Sequence, residues 1–219
     1  MIATNLTHLL ITAGGTVEPL DDVRFIGNRS SGQLGCLLAQ TAAAQSYEVT
    51  LLLGPNTVNP PCHPRLNTIP FSSTRDLSAK LKELWPSHAL LIMAAAVADF
   101  TPKGGHTNGK IRRGNSLTIE MAPTDDIVAD LASTKRTDQR IIGFALEEPD
   151  ELHTAAISKL QRKKLDAIVA NPLVTMESQT ITATVFCKDG RELSPHPQLQ
   201  KSHFAKWLIE HLNEILSTT

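Results

Sequence analysis

The chain has 219 residues and a mass of 23.8 kDa, which suits one large α/β domain. Hydrophobic residues make up 41% and charged residues 20%, a composition that excludes a disordered chain and a membrane-embedded one. With 21 basic and 22 acidic residues the net charge is −1, so no overall basic charge favours nucleic acid or a membrane surface as a partner. Three separated cysteines favour a reducing compartment, and we find neither a signal peptide nor an apolar run of membrane-spanning length. We therefore expect a cytoplasmic protein.

Short apolar runs bounded by turn residues predict buried strands. These runs are residues 8–12, 48–53, 89–95, 140–145 and 165–170. We expect one domain over residues 1–219, in which these strands alternate with helices.

Apolar stripes between the runs predict helices over residues 34–42, 77–85, 153–164 and 204–215. Ser73 and Asp76 form a capping signal for the second of these. Thr124, followed by two aspartates, predicts the start of a further helix. Strands and helices that alternate in this way predict an α/β fold, a mostly parallel sheet with helices on both faces.

Two segments interrupt the alternation. Residues 56–64 contain three prolines and predict a rigid connector. Residues 101–116 are rich in glycine and basic, with Lys103, Lys110, Arg112 and Arg113 and no acidic residue from 100 to 119. A solvated loop explains this composition, and so does a flexible cationic lid that closes over a polyphosphate.

Gly14, Gly15 and Thr16 end the first strand, where a parallel sheet binds its ligands. The glycines predict either a phosphate-binding turn or a tight turn required by the backbone alone. Directly before the first helix, Ser30 or Ser31 is placed to cap it, and Gly32 and Gly35 allow close packing. These structural roles leave Arg24, Asn28 and Arg29 unexplained, so we interpret these three as ligand donors.

Small residues follow the third strand at positions 94–98, and a flat ligand fits against such backbone. Asp99 then supplies a carboxylate at the end of the strand, suited to Mg²⁺ or a sugar hydroxyl. Other chemistries find no support: G-x-G-x-x-G, the P-loop pattern, G-x-S-x-G and zinc-ligand spacing are all absent. The missing G-x-G-x-x-G pattern disfavours a nicotinamide-dependent oxidoreductase.

Six segments, in this order along the chain, together resemble the phosphopantothenoylcysteine synthetase family. They are residues 10–21, 23–35, 94–100, 110–113, 142–147 and 164–171. In most bacteria this family is the C-terminal half of the bifunctional coenzyme A biosynthesis flavoprotein. The resemblance implies a Rossmann-like three-layer fold, a homodimer and a stand-alone chain whose phosphopantothenoylcysteine decarboxylase is separate.

The family joins 4′-phosphopantothenate to L-cysteine. The resemblance implies that CTP, more than ATP, activates the carboxylate as an acyl-cytidylate with loss of pyrophosphate, before cysteine displaces CMP. It implies Mg²⁺ that arrives with the triphosphate and no metal held by the protein alone. The implied catalytic residues are Asn28, Lys110 and Arg24. The implied nucleotide- and substrate-binding residues are Gly14, Gly15, Thr16, Ser30, Ser31, Gly32, Ala95, Ala96, Asp99, Phe144 and Ala145.

This chain departs from the family pattern in its last third. Pro172 replaces an aspartate, and Met176, Glu177, Gln179 and Ile181 replace residues of a stretch that helps to hold the base. Glu148 stands where the family has threonine. Two hypotheses therefore remain: the ligase, and a non-catalytic or regulatory nucleotide-binding relative with altered base recognition.

Overall fold

The computed structural model describes residues 7–55, 59–175 and 178–217, so part of the proline connector and the substituted Met176 and Glu177 lie outside the described residues. The strands in the described part are β1 (His8–Ala13), β2 (Val17–Pro19), β3 (Phe25–Gly27), β4 (Glu48–Leu53), β5 (Leu66–Pro70), β6 (Leu90–Met93), β7 (Phe100–Pro102), β8 (Met121–Pro123), β9 (Arg140–Glu147), β10 (Ala167–Pro172), β11 (Thr180–Ile181), β12 (Thr184–Cys187), β13 (Glu192–Leu193) and β14 (Leu199–Gln200). The helices are α1 (Gln33–Ala44), α2 (Thr74–Leu84), α3 (Ile127–Ser133), α4 (Leu152–Arg162), α5 (Lys201–Glu210) and α6 (Leu212–Leu216).

Eight strands form the central sheet in the order β13-β12-β10-β9-β6-β1-β4-β5. The six strands from β10 to β5 are parallel to their neighbours, whereas β12 and β13 run antiparallel at one edge. The chain moves outward in one direction from β1 to β5 and in the other from β6 to β10. Such a reversal opens a crevice at the carboxyl ends of the two strands where it occurs, here β1 and β6.

Helices cover both faces of this sheet, because side chains alternate along each strand. Leu9 and Ile11 of β1 enter one core with helices α1, α5 and α6. Leu10 enters the other core with α2, α3 and α4. The predicted α/β fold, three-layered and Rossmann-like, is thereby confirmed. No helix in the described ranges is long and apolar enough to cross a membrane.

All five predicted strands are present, and β4 has the predicted bounds. The sequence analysis missed β5 and the antiparallel pair β12 and β13. Strand β5 lies at the sheet edge and has no fully buried residue, so it lacks the apolar run that marks a central strand. The short β13 carries little signal for the same reason.

The three predicted helix starts have different outcomes. Ser73 caps α2 as expected, accepting a hydrogen bond from the Asp76 amide at 3.3 Å. Thr124 does not cap α3; Asp126 does, and the Thr124 hydroxyl donates to the Ala98 carbonyl at 2.6 Å. Neither Ser30 nor Ser31 is the N-cap of α1, because the helix begins after Gly32, whose φ of 70° is left-handed.

Candidate active site

A cavity of about 880 Å³ lies at the carboxyl edge of the sheet. Its walls come from the ends of β3, β6 and β9 and from the start of α1, with further residues from α3, α4 and α5. The lining includes residues 27–35, 93–99, 124–128 and 143–146. Its size lies within the usual range of ligand sites, and its place at the reversal of strand order is where this architecture binds ligands.

The N-terminus of α1 forms one wall of this cavity. No acidic side chain occupies its first turn, so the positive end of the helix dipole remains available to an anion. Gly35 lets the helix approach the sheet this closely, because a Cβ at this position would lie 2.5 Å from the Cβ of Ala13. The predicted close packing at Gly35 is therefore present.

Two buried threonines fix the alanine-rich wall that follows β6. Thr12 accepts a hydrogen bond from the Ala95 amide at 3.0 Å, and Thr16 accepts one from the Ala98 amide at 2.9 Å. Thr16 is fully buried, and its hydroxyl also pairs with that of Thr74 at 3.3 Å. The hydroxyl of Thr16 thus holds the protein backbone.

Asn28 lies at the junction of the two walls. Its side-chain amide donates to the Ala96 carbonyl at 3.1 Å, and the same carbonyl accepts from the Thr16 amide at 3.1 Å. Gly15 permits this contact, since a Cβ there would lie 3.0 Å from the Asn28 carbonyl oxygen. Asn28 is therefore held in place at the cavity with its side chain exposed to solvent.

Cations from α4 and α5, which the sequence analysis did not identify, complete the cavity. Lys159 pairs with Glu147 at 2.5 Å and Lys163 with Asp126 at 3.0 Å. Arg29, Arg162 and Lys201 also line the cavity, and none of them pairs with a carboxylate among the described residues. The only signal in the sequence was Lys159 and Arg162 in the last turn of a helix, a position where cations also occur for helix stability alone.

Two features of its position disfavour the positive charge of Lys201. It is the first residue of α5, where the helix dipole disfavours positive charge, and burial lowers its pKa. Its amide donates to the Gln179 carbonyl at 3.0 Å, which places it beside the stretch that departs from the family pattern. An anionic ligand would stabilise the charge of this ammonium group.

Three carboxylates, those of Asp99, Asp125 and Asp126, also line the cavity. No group of three or more His, Cys, Asp or Glu side chains in the described ranges is arranged to hold a metal ion. Mg²⁺ commonly keeps substrate phosphates and waters among its ligands, so one or two carboxylates suffice to receive it.

The structure gathers ten of the predicted site residues at the cavity: Asn28, Arg29, Ser30, Ser31, Gly32, Ala95, Ala96, Asp99, Phe144 and Ala145. The other five do not line it. Gly14, Gly15 and Thr16 lie behind Asn28 and Ala96 and support them. Arg24 and Lys110 lie in a second cluster with Asp21.

Arg24 is therefore not the free donor that its sequence position suggests. Its guanidinium donates to the Asp21 carboxylate at 2.6 Å and to the Ile111 carbonyl at 2.6 Å. Burial by itself would raise the pKa of Asp21, but hydrogen bonds from Arg24 and from backbone amides hold it well below its usual range. The role of Arg24 in catalysis stays a prediction.

Fold and cavity define a Rossmann-like α/β domain with a candidate ligand site, lined by several cations, at the carboxyl ends of its parallel strands. The chain belongs to the family described as the DNA/pantothenate metabolism flavoprotein C-terminal domain, which matches residues 5–216.

Relatives and solved structures support this assignment. The coenzyme A biosynthesis bifunctional protein CoaBC of Vibrio cholerae serotype O1 is 39% identical over 194 residues, which cover 86% of this chain and 48% of that protein. A protein from an unknown prokaryotic organism, named cysteine/cysteine sulfinic acid decarboxylase, is 46% identical over 170 residues, 77% of this chain and 46% of that protein. The crystal structure of the C-terminal domain of a CoaBC protein superposes with a TM-score of 0.80 at 32% identity, covering 96% of this chain and 95% of that one. The chain thus spans about half the length of these two full-length relatives.

Proposed function

We propose that this chain is a phosphopantothenate–cysteine ligase that works through an acyl-nucleotide. The observation that carries the proposal is the position of Asn28: a fixed, exposed amide at the joint between the α1 N-terminus and the alanine wall, inside a cavity whose lining includes three cations without a carboxylate partner among the described residues. An uncharged donor next to cations suits a substrate that carries both a carbonyl and phosphate groups. The sequence resemblance and family membership supply the substrate class.

In the proposed first step, a carboxylate oxygen of 4′-phosphopantothenate attacks the α-phosphorus of the nucleotide, and pyrophosphate leaves. Negative charge grows on the phosphoryl oxygens during this attack, so preorganised cations and helix amides lower its barrier. We assign the N-terminus of α1 and three cations that line the cavity, Arg29, Arg162 and Lys201, to this task. We assign Lys110 to the same step, as the cation supplied by residues 101–116, which we call the basic segment.

In the second step, the amino group of cysteine attacks the acyl carbonyl carbon, a proton is released and the nucleoside monophosphate leaves. The carbonyl oxygen gains negative charge as the tetrahedral intermediate forms. A donor aimed at this oxygen is worth about 10² to 10³ in rate. Asn28 is the cavity residue whose amide we assign to this oxygen, with its orientation set by the Ala96 carbonyl.

We propose CTP as the preferred nucleotide and Mg²⁺ as the ion that accompanies its triphosphate. Phe144 and the backbone of residues 94–98 offer a flat surface for a small base. Asp99 offers a carboxylate to the metal or to the ribose hydroxyls. In the stretch that departs from the family pattern, the Gln179 side chain accepts a hydrogen bond from Gln33 at 3.1 Å, so this stretch still contacts the start of α1.

We further propose a homodimer, because large apolar side chains lie exposed around hairpin β2–β3 and strand β7. They are Val23, Phe25, Ile26 and Phe100. Contiguous exposed apolar surface commonly marks an interaction site. Whether a separate decarboxylase also binds is a question for co-purification from the source cell.

The decisive experiment is pyrophosphate release from CTP or ATP, with Mg²⁺ and 4′-phosphopantothenate, with and without cysteine. The ligase releases one equivalent without cysteine and turns over with it, faster with CTP. Faster turnover with ATP would overturn the nucleotide assignment. Nucleotide binding without pyrophosphate release would instead establish the non-catalytic relative.

A further inference from the structure

The basic segment is held to the protein by two adjacent carboxylates in the turn between β2 and β3. The side chain of Asp21 has no solvent exposure. It accepts hydrogen bonds from the amides of Val23 (2.9 Å) and Arg24 (2.7 Å), from the Arg24 guanidinium (2.6 and 3.0 Å) and from the Ile111 amide (2.9 Å). Asp22 accepts from the Gly109 amide at 2.9 Å. We call Asp21, Asp22 and Arg24 the clasp.

The clasp fixes the backbone on both sides of Lys110. On one side, the Gly109 amide donates to Asp22, and the Gly109 carbonyl accepts from the Asp22 amide at 3.1 Å. On the other side, the Ile111 amide donates to Asp21, and the Ile111 carbonyl accepts from Arg24. Lys110 itself is exposed, and its ammonium forms no ion pair in the part of the chain that the structure describes.

A turn alone does not require this arrangement. The hydrogen bonds from the amides of Val23 and Arg24 would complete the turn. The side-chain oxygen of an exposed asparagine at position 21 would accept both of them. Burying the carboxylate is costly unless every lone pair is used, and here the remaining oxygen accepts from Arg24 and from Ile111, which is 90 residues away in sequence. The buried charge therefore serves to connect the two segments.

We propose that Asp21 is a positioning residue, which holds the segment around Lys110 so that this unpaired cation is presented to the anionic substrate. The catalytic part of this proposal rests on the proposed ligase function. The mechanical part, that Asp21 holds the basic segment, does not depend on it. One lysine with a fixed backbone and a free side chain loses less conformational entropy on binding an anion than a lysine on a mobile loop.

The mechanical part is tested with Asp21→Asn and limited trypsin digestion, since trypsin cleaves after Lys110, Arg112 and Arg113. The variant retains the shape of the side chain. If its oxygen accepts from the Val23 and Arg24 amides, its NH2 group replaces the oxygen that accepts from the Arg24 guanidinium and the Ile111 amide, and these hydrogen bonds are lost. We expect cleavage in this segment to accelerate about tenfold or more, the factor for losing one charge-assisted hydrogen bond. Asp138→Asn is the control, because this aspartate also pairs with an arginine of its own loop, Arg136, at 3.0 Å. It precedes the amino end of β9, on the opposite side of the sheet from the cavity. An unchanged cleavage rate in Asp21→Asn, with the fold intact by circular dichroism, would overturn the proposal.

The catalytic part is tested by pyrophosphate release. We expect Asp21→Asn to lower kcat of this step by about 10- to 100-fold, the effect of a misplaced catalytic group, with little change in the KM for CTP. In a Lys110→Ala background the same change should have no further effect, because Asp21 acts through Lys110. Equal losses in both backgrounds would show a general structural role instead.

If Asp21→Asn prevents folding, Asp22→Asn takes its place, since this carboxylate is half exposed and anchors Gly109 on the other side of the lysine. Absence of pyrophosphate release from the wild-type chain would refute the ligase and leave the digestion to decide the clasp.

Discussion

Substituting Lys201 with glutamine should have opposite effects on stability and on ligand binding. Lys201 begins α5, has no carboxylate partner among the described residues and lines the cavity. A cation at a helix N-terminus costs about 0.3–1 kcal/mol, and burial adds to this cost. Its folded-state pKa is lowered, so the ammonium destabilises the fold at neutral pH, and this cost disappears as pH rises above the ordinary lysine pKa.

We therefore expect Lys201→Gln to raise the free energy of unfolding by about 0.3–1 kcal/mol at pH 7. For a chain of this size the midpoint of thermal unfolding should rise by about 1–4 °C. The same variant should weaken the binding of CTP with Mg²⁺ by about 10- to 100-fold, since a hydrogen bond to a charged group is lost. Differential scanning fluorimetry and isothermal titration calorimetry measure the two effects.

Lys206→Gln is the control, because this lysine lies on the same helix but is exposed and pairs with Glu210 at 3.8 Å. Its removal should change stability by less than about 0.5 kcal/mol and leave nucleotide affinity unchanged. Lower stability together with unchanged affinity in Lys201→Gln would refute the reasoning, since it would show that the ammonium serves the fold.

Three further substitutions separate supporting residues from reacting ones. Thr16→Val should lower the free energy of unfolding by about 1–3 kcal/mol in urea denaturation, because a buried amide loses its acceptor; a variant as stable as wild type would contradict this. Gly35→Ala should cost about 1–3 kcal/mol by the same measurement, because its Cβ meets Ala13, whereas Gly104→Ala, with nothing within 4 Å, should be harmless. Asn28→Ala should still release one equivalent of pyrophosphate but accumulate acyl-nucleotide, detected by mass spectrometry; a missing first burst would place Asn28 in the first step.

Much of the fold could be predicted because local patterns and tertiary structure agree. The central parallel strands are mostly apolar, and β4 has the predicted bounds. Ser73 caps α2 because its side chain and Asp76 meet within one turn. Thr124 was misassigned as a cap because its hydroxyl is held at the Ala98 carbonyl, to which it donates, and the Asp126 side chain accepts the helix amide instead. That competition depends on contacts between distant segments, which no local pattern reveals.

The candidate site was predictable where its residues are contiguous in sequence. Asn28, the serines and the alanine segment follow strand ends and reach the same cavity. Lys159, Arg162 and Lys201 were missed because they come from two helices on opposite faces of the sheet, and only the tertiary fold brings these residues to one cavity. The pairing of Arg24 with Asp21 carried a weak signal, a carboxylate three residues before the arginine, but its bond to Ile111 spans 87 residues.

Cations near the two ends of the parallel strands differ in their partners. At the amino edge, Lys135 pairs with Asp166 at 2.5 Å and Arg136 with Asp138 at 3.0 Å. Near the carboxyl ends, Lys159 pairs with Glu147, whereas Arg29 and Lys201 line the cavity without a carboxylate partner among the described residues. The chain has 22 acidic and 21 basic residues, so a shortage of carboxylates does not explain this difference. Unpaired cations at a helix start or in a cavity wall reduce stability, and residues that break local rules in this way concentrate at functional sites. Lys201 is such a residue, and its position in the cavity beside Asn28 supports the functional assignment independently of any motif.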